Sequence, residues 1–525
     1  MKNRATTDGR IALHLAFLVL AATMFLWSGR LHSSDGFAMY AVNDSLVRYG
    51  RYDIEQLHWM DIQQGTYGRG GWLYSRKGLG TSMAGFPLTV LGFVLPGLGP
   101  VQTSLLLAPL LTALSAALLY LAARRAFPHT PRAAAWLATV AWALGSVAWP
   151  YTKTFFSEPL VALATIGAFE RLLALRDHPQ SRRAAFGIGA WVGLGIVTRS
   201  AHAIVAPFFA LTALFITWPR DLPPRDIVRR WRALPWGVWL SAAWPLMVAL
   251  GLVLGYNWAR FGNPFESGYL DFETFSANWL IGISGQLISP GRGLLWYVPW
   301  LVLLPLGVRA AWRRAPEGTG VALGVFAAYV LLYGKWYMWS GGSAWGPRFL
   351  VPTVPLLAWL STPIAARRPR LLGLFVLLGI GVNAVACCGI STSTKHGSPI
   401  WALNRTRCQR FLKRSTPKSP TWCAWGCTPR STLPGCRRRP STRPPCSRQV
   451  WSACWRSPQP SPAWNAPDGK PSHSSGWSSP PHGGCSGKPT KPNRRITPRW
   501  RQLSNACRPR ACASGKMAHP APNSF

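Results

Sequence analysis

Long apolar stretches recur through the first three quarters of the chain, and they constrain its fold more than any other feature. Each is about 18–22 residues long, which is the length a helix needs to cross a bilayer. The sequence also contains 29 tryptophans, a residue enriched at membrane–water interfaces. We therefore predict an all-α polytopic membrane protein with about eleven transmembrane helices. Their approximate ranges are 11–28, 101–123, 132–149, 157–175, 184–199, 201–218, 237–256, 294–310, 318–334, 349–365 and 371–388.

The end of the chain differs in composition from everything before it. The mean hydropathy of +0.11 is low for a polytopic membrane protein, and the net charge of +41 is high. Both values originate after the last apolar stretch, since 24 of the 57 basic residues lie from Lys395 onward, together with only one of the 16 acidic residues, Asp468. All 11 cysteines lie at or after Cys387. We therefore predict a membrane domain over 1–388 and a separate low-complexity tail over 389–525.

Three interpretations of this basic tail compete. It has neither helical nor strand periodicity, so it is expected to be disordered. A genuine basic tail could bind nucleic acid or anionic lipid, but such tails are rarely rich in cysteine and tryptophan. The pair Cys423 and Cys427 suggests zinc, yet no second Cys/His pair follows at a usable spacing. A GC-rich gene read out of frame yields Arg, Pro, Ser, Cys and Trp, so a frameshift is favoured and no nucleic-acid partner is predicted.

Basic residues set the predicted topology. Lys2, Arg4 and Arg10 precede the first apolar stretch, which lacks a small-residue cleavage site and is therefore predicted to be an anchor with its N-terminus inside. The apolar stretch 83–98 is interrupted by prolines and glycines. If it lies at the membrane surface rather than spanning, every arginine-rich loop falls on the cytoplasmic side, as the positive-inside rule requires. Residues 30–100 then form a long first outer loop with interfacial helices, including an amphipathic stretch at 44–59.

The same topology gathers ionisable residues of both signs on the outer side. Isolated cations lie there among acids, and no inner loop has a comparable mixture. The chemistry is therefore expected outside. Soluble nucleotide chemistry has no support, because the sequence has no P-loop and no GxGxxG motif. The outer acids are Asp35, Asp44, Asp53, Glu55, Asp61, Glu158, Glu266, Asp271 and Glu273, and the outer cations are Lys77, Lys153, Arg199, Arg292 and Arg348.

Two outer acids are candidate catalytic carboxylates, each with a structural alternative. Asp35 follows the first span closely, where partial burial suits a carboxylate to act as a general base. Alternatively, Ser34 or Asp35 caps a helix that begins at Gly36. Glu158 stands between Ser157 and Pro159 at the start of a span, where helix capping is equally compatible with the sequence.

Three cations are candidate ligands of a phosphate. Lys77 is followed by Gly78-Leu79-Gly80, where missing side chains leave room for a phosphate, although a snorkelling lysine is the alternative. Arg348 follows a glycine- and tryptophan-rich segment and directly precedes a span, so it can hold a phosphate bidentately. Arg199 lies in a short outer turn and is expected to face a polar cavity. The outer loop 257–293 suits a substrate lid, or simple turns.

Several of these motifs resemble the GT-C superfamily of integral-membrane glycosyltransferases. The resemblance is to bacterial relatives of protein O-mannosyltransferases and aminoarabinose transferases, over about residues 11–388. Asp35-Gly36-Phe37-Ala38-Met39-Tyr40 resembles the acidic motif of the family's first outer loop. Lys77-Gly78-Leu79-Gly80 occupies the place of its lysine motif, with glycines where the family has prolines. Ala123-Arg124-Arg125-Ala126-Phe127 matches the cytoplasmic end of the next helix.

This resemblance implies a function and a set of roles. The function is inverting transfer of a sugar from a polyprenyl-phosphate donor to a glycan, lipid or protein acceptor, at the outer face of the bacterial cytoplasmic (inner) membrane, as part of cell-envelope chemistry. Metal dependence varies within the family, so a divalent metal is left open. The alternatives are a transporter or flippase of lipid-linked saccharide and an inactive frame-shifted product. In the implied roles, Asp35 is the general base, Glu158 assists the acceptor, and the residues that bind substrate or lipid phosphate are Lys77, Arg199, Arg348, Tyr40 and Lys153.

Overall fold

The computed structural model describes residues 2–223 and 225–389 of the chain. Nineteen α-helices account for most of these residues, and the strands found among them form one two-stranded sheet. The predicted all-α class is therefore confirmed for the described part. The predictions made for the tail after residue 389 lie outside it, and the domain boundaries remain predictions.

The helices follow one another with short connections. The first ten are α1 (Lys2–Phe25), α2 (Ser34–Tyr49), α3 (Leu79–Val94), α4 (Pro100–Ser104), α5 (Leu107–Ala126), α6 (Arg132–Ala143), α7 (Ala148–Tyr151), α8 (Glu158–Asp177), α9 (Arg182–Thr198) and α10 (Ala206–Thr217). The remaining nine are α11 (Ile227–Arg232), α12 (Trp236–Phe261), α13 (Trp279–Leu287), α14 (Leu294–Tyr297), α15 (Leu304–Trp312), α16 (Pro316–Lys335), α17 (Val354–Leu360), α18 (Thr362–Arg367) and α19 (Pro369–Gly389).

Seven helical stretches among the described residues are long and apolar enough to cross a membrane. The other four predicted spans are shorter, more charged or interrupted. Helix α6 has 12 residues and α9 has 17, α8 carries Glu170 and Arg171, and 294–310 is divided among α14, a 3₁₀ helix (Pro299–Leu303) and α15. The seven stretches are Thr6–Phe25, Pro100–Ala126, Ser200–Thr217, Trp236–Phe261, Pro316–Lys335, Arg348–Arg367 and Pro369–Cys388.

The first outer loop contains α2, a small sheet and α3. The amphipathic stretch predicted at 44–59 is not one helix, because α2 starts earlier and ends at Gly50, whose φ of 64° is a left-handed conformation that glycine adopts without strain. A 3₁₀ helix follows at Glu55–Gln63, and strands β1 (Gly65–Tyr67) and β2 (Leu73–Ser75) then pair antiparallel. Strand β2 leads directly to the lysine motif and α3.

Close helix packing sets the framework behind this loop. Helix α5 contacts α1 and α8, α8 contacts α9, and α9 contacts α12. In α9, Gly189 and Gly193 lie four residues apart, and a Cβ at either position would collide with α12 at Ala242, Pro245 or Ala249. Small residues at this spacing let membrane helices approach closely. The start of α8 and the end of α9 therefore lie at the same end of a tightly packed pair.

Candidate active site

Asp35 lies in the first turn of α2, but it does not cap the helix. The cap is Ser33, whose hydroxyl accepts a hydrogen bond from the Gly36 backbone N–H at 3.1 Å. The capping role considered for Ser34 or Asp35 is therefore wrong, since the helix begins one residue after Ser33. The Asp35 carboxylate is left available for contacts between distant segments.

Two cations hold the Asp35 carboxylate. Lys77 Nζ lies 2.9 Å from Oδ1, and Arg348 Nη1 lies 2.6 Å from Oδ2. All three side chains are largely shielded from water, with exposed fractions of 12% for Asp35, 24% for Lys77 and 9% for Arg348. Lys77 is therefore not a snorkelling lysine. It reaches inward from the lysine motif to the acid at the start of α2.

Glu158 extends this chain of charges. It is the first residue of α8 and is fully buried. Arg348 Nε lies 2.5 Å from Glu158 Oε1, and Arg199 Nη2 lies 2.8 Å from the same oxygen. The preceding Ser157 makes no side-chain cap, and its hydroxyl instead donates to Glu158 Oε2 at 3.4 Å. Glu158 therefore begins α8 and also forms ion pairs with two arginines.

Together these side chains form one continuous network, which we call the Asp35–Glu158 cluster: Lys77, Asp35, Arg348, Glu158 and Arg199. Three positive and two negative charges leave a net charge of +1. Because the cluster is mostly buried, this excess is poorly screened and favours the entry of an anion. The cluster contains five of the seven residues predicted for catalysis or substrate binding, all except Tyr40 and Lys153.

Aromatic rings flank the arginines of the cluster. The guanidinium of Arg348 lies 3.9 Å from the centroid of Phe156. Arg199 lies over Phe349 and donates to the Tyr333 hydroxyl at 3.4 Å, while the rings of Tyr333 and Phe349 stack at 4.4 Å. These rings restrict the guanidinium groups and keep water away from them, which strengthens their electrostatic interactions.

The glycines after Lys77 have a different role from the one predicted. A Cβ at Gly78 would collide with the backbone carbonyl oxygen of Thr198, and one at Gly80 would collide with the Thr198 hydroxyl and backbone. The space therefore accommodates the end of α9 rather than a phosphate. This contact places the lysine motif beside Arg199, the residue that follows Thr198.

Two predicted ligands make their described contacts outside the cluster. The Lys153 ammonium donates to the backbone carbonyl of Cys387, near the end of α19. Tyr40 is buried in α2, and its hydroxyl donates to Asp44 Oδ1 at 3.5 Å. Neither contact was foreseen. Their predicted roles in substrate binding remain predictions.

Opposing effects determine the pKa of Asp35. Burial alone raises the pKa of the carboxyl, but the positive charges of Lys77 and Arg348 outweigh burial. The net pKa lies well below the ordinary value of 3.8, so the group is ionised at neutral pH. A carboxylate held this firmly by cations is a weak base until those cations find another anion.

An apolar groove lies among α13, α14, α15 and α16. It has a volume of about 730 Å³ and extends from Leu287 and Leu294 along α15 to Arg313. Arg292, in the segment between the groove-lining residues Ile288 and Leu294, donates to the backbone carbonyls of Gly342 and Ala344, in the loop before Arg348. The groove is lined mainly by leucine, proline and aromatic side chains. Its chemistry suits a hydrocarbon chain.

Sequence reasoning assigned no role to several residues around the cluster. Glu273 was noted only as an outer acid, yet it pairs with Arg76, the neighbour of Lys77, at 2.5 Å. His202 lies behind Arg199, and its Nδ1 is 2.6 Å from the Tyr329 hydroxyl. The position of Arg76 beside Lys77 could have indicated that Arg76 pairs with an outer acid such as Glu273. The contact between His202 and Tyr329 could not be predicted, because a single histidine in an apolar stretch does not indicate its partner.

A resident metal ion is not supported by the donor set. Among residues 2–223 and 225–389, no three His, Cys, Asp or Glu side chains come together as a metal site. Asp35 and Glu158 are instead each held by two cations. The residues present do not fit a bound metal, and no step is assigned to one.

Comparisons with known proteins find similarity in structure. No protein-family model and no curated protein matches the sequence. ArnT from Cupriavidus metallidurans in the apo state matches with a TM-score of 0.47 and 20% identity, over 75% of this chain and 66% of that chain. Archaeal oligosaccharyltransferase AglB from Archaeoglobus fulgidus, in complex with an inhibitory peptide and a dolichol-phosphate, matches with a TM-score of 0.45 and 12% identity, over 78% and 60%.

Both are GT-C glycosyltransferases, the superfamily that the sequence motifs resemble. A second ArnT structure, bound to undecaprenyl phosphate, matches with a TM-score of 0.47 and 19% identity, over 74% of this chain and 66% of that chain. The chain spans less than two thirds of the length of each of these proteins. At TM-scores below 0.5, this similarity assigns neither an activity nor a site to the chain.

Proposed function

We propose that this protein is a glycosyltransferase that moves a sugar from a polyprenyl-phosphate donor to an acceptor hydroxyl, with inversion. The observation that carries the proposal is the shared hold of Lys77 and Arg348 on Asp35. Those cations suit a donor phosphate, and the acid between them suits a general base. The excess positive charge of the Asp35–Glu158 cluster supports an anionic ligand over a neutral one.

Donor binding would change the partners of Asp35. A phosphodiester entering the cluster competes with the carboxylate for Lys77 and Arg348, and both cations form strong charge-assisted hydrogen bonds to phosphate oxygens. As they turn towards the phosphate, the pKa of Asp35 rises, because the effect of burial is then no longer outweighed. The ligand that carries the sugar therefore also releases the base, so Asp35 becomes more basic only when the donor is in place.

In the chemical step, the acceptor hydroxyl loses its proton and the bond between the sugar and the phosphate breaks. The acceptor oxygen attacks the anomeric carbon as its proton passes to the Asp35 carboxylate. The bond between the anomeric carbon and the phosphate oxygen breaks, and its electron pair leaves with the polyprenyl phosphate. Negative charge develops on that leaving group, where Lys77, Arg348 and Arg199 stabilise it. Attack from the face opposite the phosphate gives inversion.

Glu158 serves this site mainly through its arginines. It neutralises part of the charge of Arg199 and Arg348 and orients both groups from below Asp35. If Arg348 turns towards the donor, Glu158 retains Arg199, so its buried charge stays paired. We further propose that Tyr40 and Lys153 act at the edges of the substrate site, as the sequence motifs imply.

The apolar groove supports a lipid-linked donor. Arg292 lies in the chain between the groove-lining residues Ile288 and Leu294 and donates to the loop before Arg348. A polyprenyl chain lying in the groove would have its phosphate near the cluster and its tail in the hydrocarbon core. The arginine-rich loops support a cytoplasmic-membrane protein whose cluster lies on the outer, cell-envelope side. The acceptor is then a glycan, lipid or protein on that side.

The transfer reaction tests this proposal. Membranes containing the full chain are supplied with polyprenyl-phosphate sugars, and transfer to endogenous acceptors is compared between wild type and Asp35→Asn. We expect a loss of about 10²–10⁴-fold, the usual contribution of a general base. Asp271→Asn is the matched control, because it makes the same change at an exposed outer acid that forms none of the described ion pairs. Equal transfer by wild type and Asp35→Asn would exclude Asp35 as the base.

The same membranes distinguish an enzyme from a transporter. A transporter of lipid-linked saccharide moves the donor across the bilayer without breaking its sugar–phosphate bond. Wild-type membranes that change donor sidedness but release no polyprenyl phosphate would therefore contradict the proposed function. Release of polyprenyl phosphate with a stoichiometric gain of sugar on an acceptor would support it.

A further inference from the structure

Glu273, in the outer loop 257–293, uses both carboxylate oxygens to join separate segments of the protein. Its Oε2 lies 2.5 Å from Arg76 Nη1 and accepts the Leu270 backbone N–H at 2.9 Å. Its Oε1 accepts the hydroxyl hydrogen of Tyr337 at 3.1 Å. The Arg76 side chain is 4% exposed and the Glu273 side chain 11% exposed, so these contacts are largely shielded from water. They are correspondingly strong.

Each partner of Glu273 leads to one cation of the Asp35–Glu158 cluster. Arg76 immediately precedes Lys77, which pairs with Asp35 at one oxygen. Tyr337 begins the segment that runs from the end of α16 to Arg348, which pairs with Asp35 at the other oxygen. Glu273 therefore connects the two segments whose cations must be correctly spaced to share one carboxylate or one phosphate.

Further hydrogen bonds hold each of these segments in place. Tyr337 N–H donates to the Thr274 carbonyl at 2.9 Å, and Ala277 N–H donates to the Lys335 carbonyl at 3.0 Å. On the other side, the second terminal nitrogen of Arg76, Nη2, donates to the Gln63 carbonyl at 2.6 Å. The first two bonds fix the outer loop 257–293 to the Tyr337 segment, and the third fixes Arg76 within the first outer loop. Glu273 is the side chain that bridges both.

The hydroxyl of Tyr337 is held as a hydrogen-bond donor. Burial and the negative charge of Glu273 raise its pKa to about 12, so it remains protonated at physiological pH. The Tyr337 hydroxyl therefore remains a donor to Glu273 across the pH range in which the enzyme would work.

We propose that Glu273 is a positioning residue that sets the separation of Lys77 and Arg348. It makes the outer loop 257–293 a necessary part of the phosphate site, although none of the loop's described ion pairs reaches Asp35 or Glu158. The inference rests on the proposed function, since it assigns the cluster a phosphate ligand. It adds that a loop distant from the cluster in sequence controls the affinity for that ligand.

Binding of undecaprenyl phosphate to the purified full chain tests the inference without requiring turnover. Glu273→Gln keeps the shape of the side chain but removes its charge, and we expect about tenfold weaker binding. Glu266→Gln is the matched control, because it makes the same substitution in the same loop, where the carboxylate accepts only the nearby Gly268 N–H among its described bonds. It should bind like wild type.

Two further variants keep the test informative if Glu273→Gln is unstable. Tyr337→Phe removes one hydroxyl and is expected to weaken binding about threefold, with little change in thermal unfolding. The exchange Arg76→Glu with Glu273→Arg restores the pair in reverse and should recover part of the affinity lost in Arg76→Glu alone. A merely structural role would lower unfolding temperature in these variants without this recovery of binding.

The outcomes separate the inference from the function on which it rests. If wild type binds undecaprenyl phosphate but Glu273→Gln and Tyr337→Phe bind equally well, the positioning role is wrong and the proposed function stands. If wild type itself does not bind undecaprenyl phosphate, the proposed function fails first. Weaker binding in both variants, with Glu266→Gln unaffected, supports the positioning role.

Discussion

The guanidinium of Arg348 lies 2.6 Å from the carboxylate of Asp35, although the two residues belong to opposite ends of the described chain. The same guanidinium contacts Glu158 through Nε at 2.5 Å. One planar group therefore bridges two acids from two different helices. A lysine ammonium would have to make both contacts from one nitrogen, whereas the rigid arginine fork makes them from two separate nitrogens.

Replacing Arg348 by lysine tests the importance of this bridge. Arg348→Lys keeps the positive charge but can contact Asp35 or Glu158 rather than both in the observed geometry. We expect undecaprenyl phosphate to bind at least about tenfold more weakly, because a bidentate contact to phosphate is also lost. The measurement is the dissociation constant in detergent solution. Arg367→Lys, an exposed arginine at the end of α18, is the control, and equal affinity of Arg348→Lys and wild type would contradict the prediction.

The acid limb of the pH profile should reveal the exchange of cations at Asp35. In the free protein, the pKa of Asp35 lies well below 3.8 because Lys77 and Arg348 outweigh burial. When a donor phosphate takes these cations, the pKa rises, so protonation inactivates the complex at a higher pH than the free enzyme. The apparent pKa in kcat reports the complex, and that in kcat/KM reports the free enzyme.

The sign of this effect is fixed by the direction of the shift. As pH falls, kcat is expected to decrease at a higher pH than kcat/KM does. The measurement is steady-state sugar transfer between about pH 3.5 and 7 at several donor concentrations. Coincident acid limbs, or a limb in kcat/KM at the higher pH, would show that donor binding leaves the cations on Asp35.

Much of the site could be predicted because charge and topology are local properties of the sequence. The positive-inside pattern placed Asp35, Lys77, Glu158, Arg199 and Arg348 on one side of the membrane, and all five meet in one cluster. The apolar stretches likewise indicated a helical membrane protein. The number of full spans was less predictable, because α8 is charged and 294–310 is broken into shorter helices.

The remaining contacts depend on packing between segments far apart in the chain. Gly78 and Gly80 suggested that a phosphate has room to approach Lys77. Nothing nearby in the sequence shows that Thr198 fills this space. Lys153 binds a carbonyl near the end of α19, and Glu273 joins residues from two other segments. Such pairings cannot be predicted from sequence periodicity or from a short motif. They emerge only when the helices are assembled.

The packing of Gly80 against Thr198 gives a prediction about stability and affinity. Gly80→Ala places a methyl group against the Thr198 hydroxyl and backbone, so α3 or the end of α9 must move. Overpacking of this kind costs about 1–3 kcal/mol. We expect a lower unfolding temperature and weaker binding of undecaprenyl phosphate, because Lys77 and Arg199 flank this contact.

A second glycine supplies the control for this substitution. A Cβ at Gly320, in α16, would meet no atom within 4 Å, so Gly320→Ala should fold normally and gain a little helix stability. Both variants are compared by thermal unfolding in the same detergent. If Gly80→Ala matches wild type in unfolding and binding, the close approach of the lysine motif to α9 does not position Lys77.

Removal of residues 390–525 tests whether the basic tail contributes to function. All five members of the Asp35–Glu158 cluster, and the Cys387 carbonyl that accepts from Lys153, lie before the cut. If the tail is an out-of-frame product, the shortened chain should bind undecaprenyl phosphate and transfer sugar like the full chain. A cut after residue 380 is the control, because it also removes Asn383, which contacts the Tyr297 carbonyl at 2.9 Å and accepts from Trp345 Nε1 at 3.3 Å. That shorter chain should lose stability and binding. Equal losses after both cuts would assign the tail a functional role.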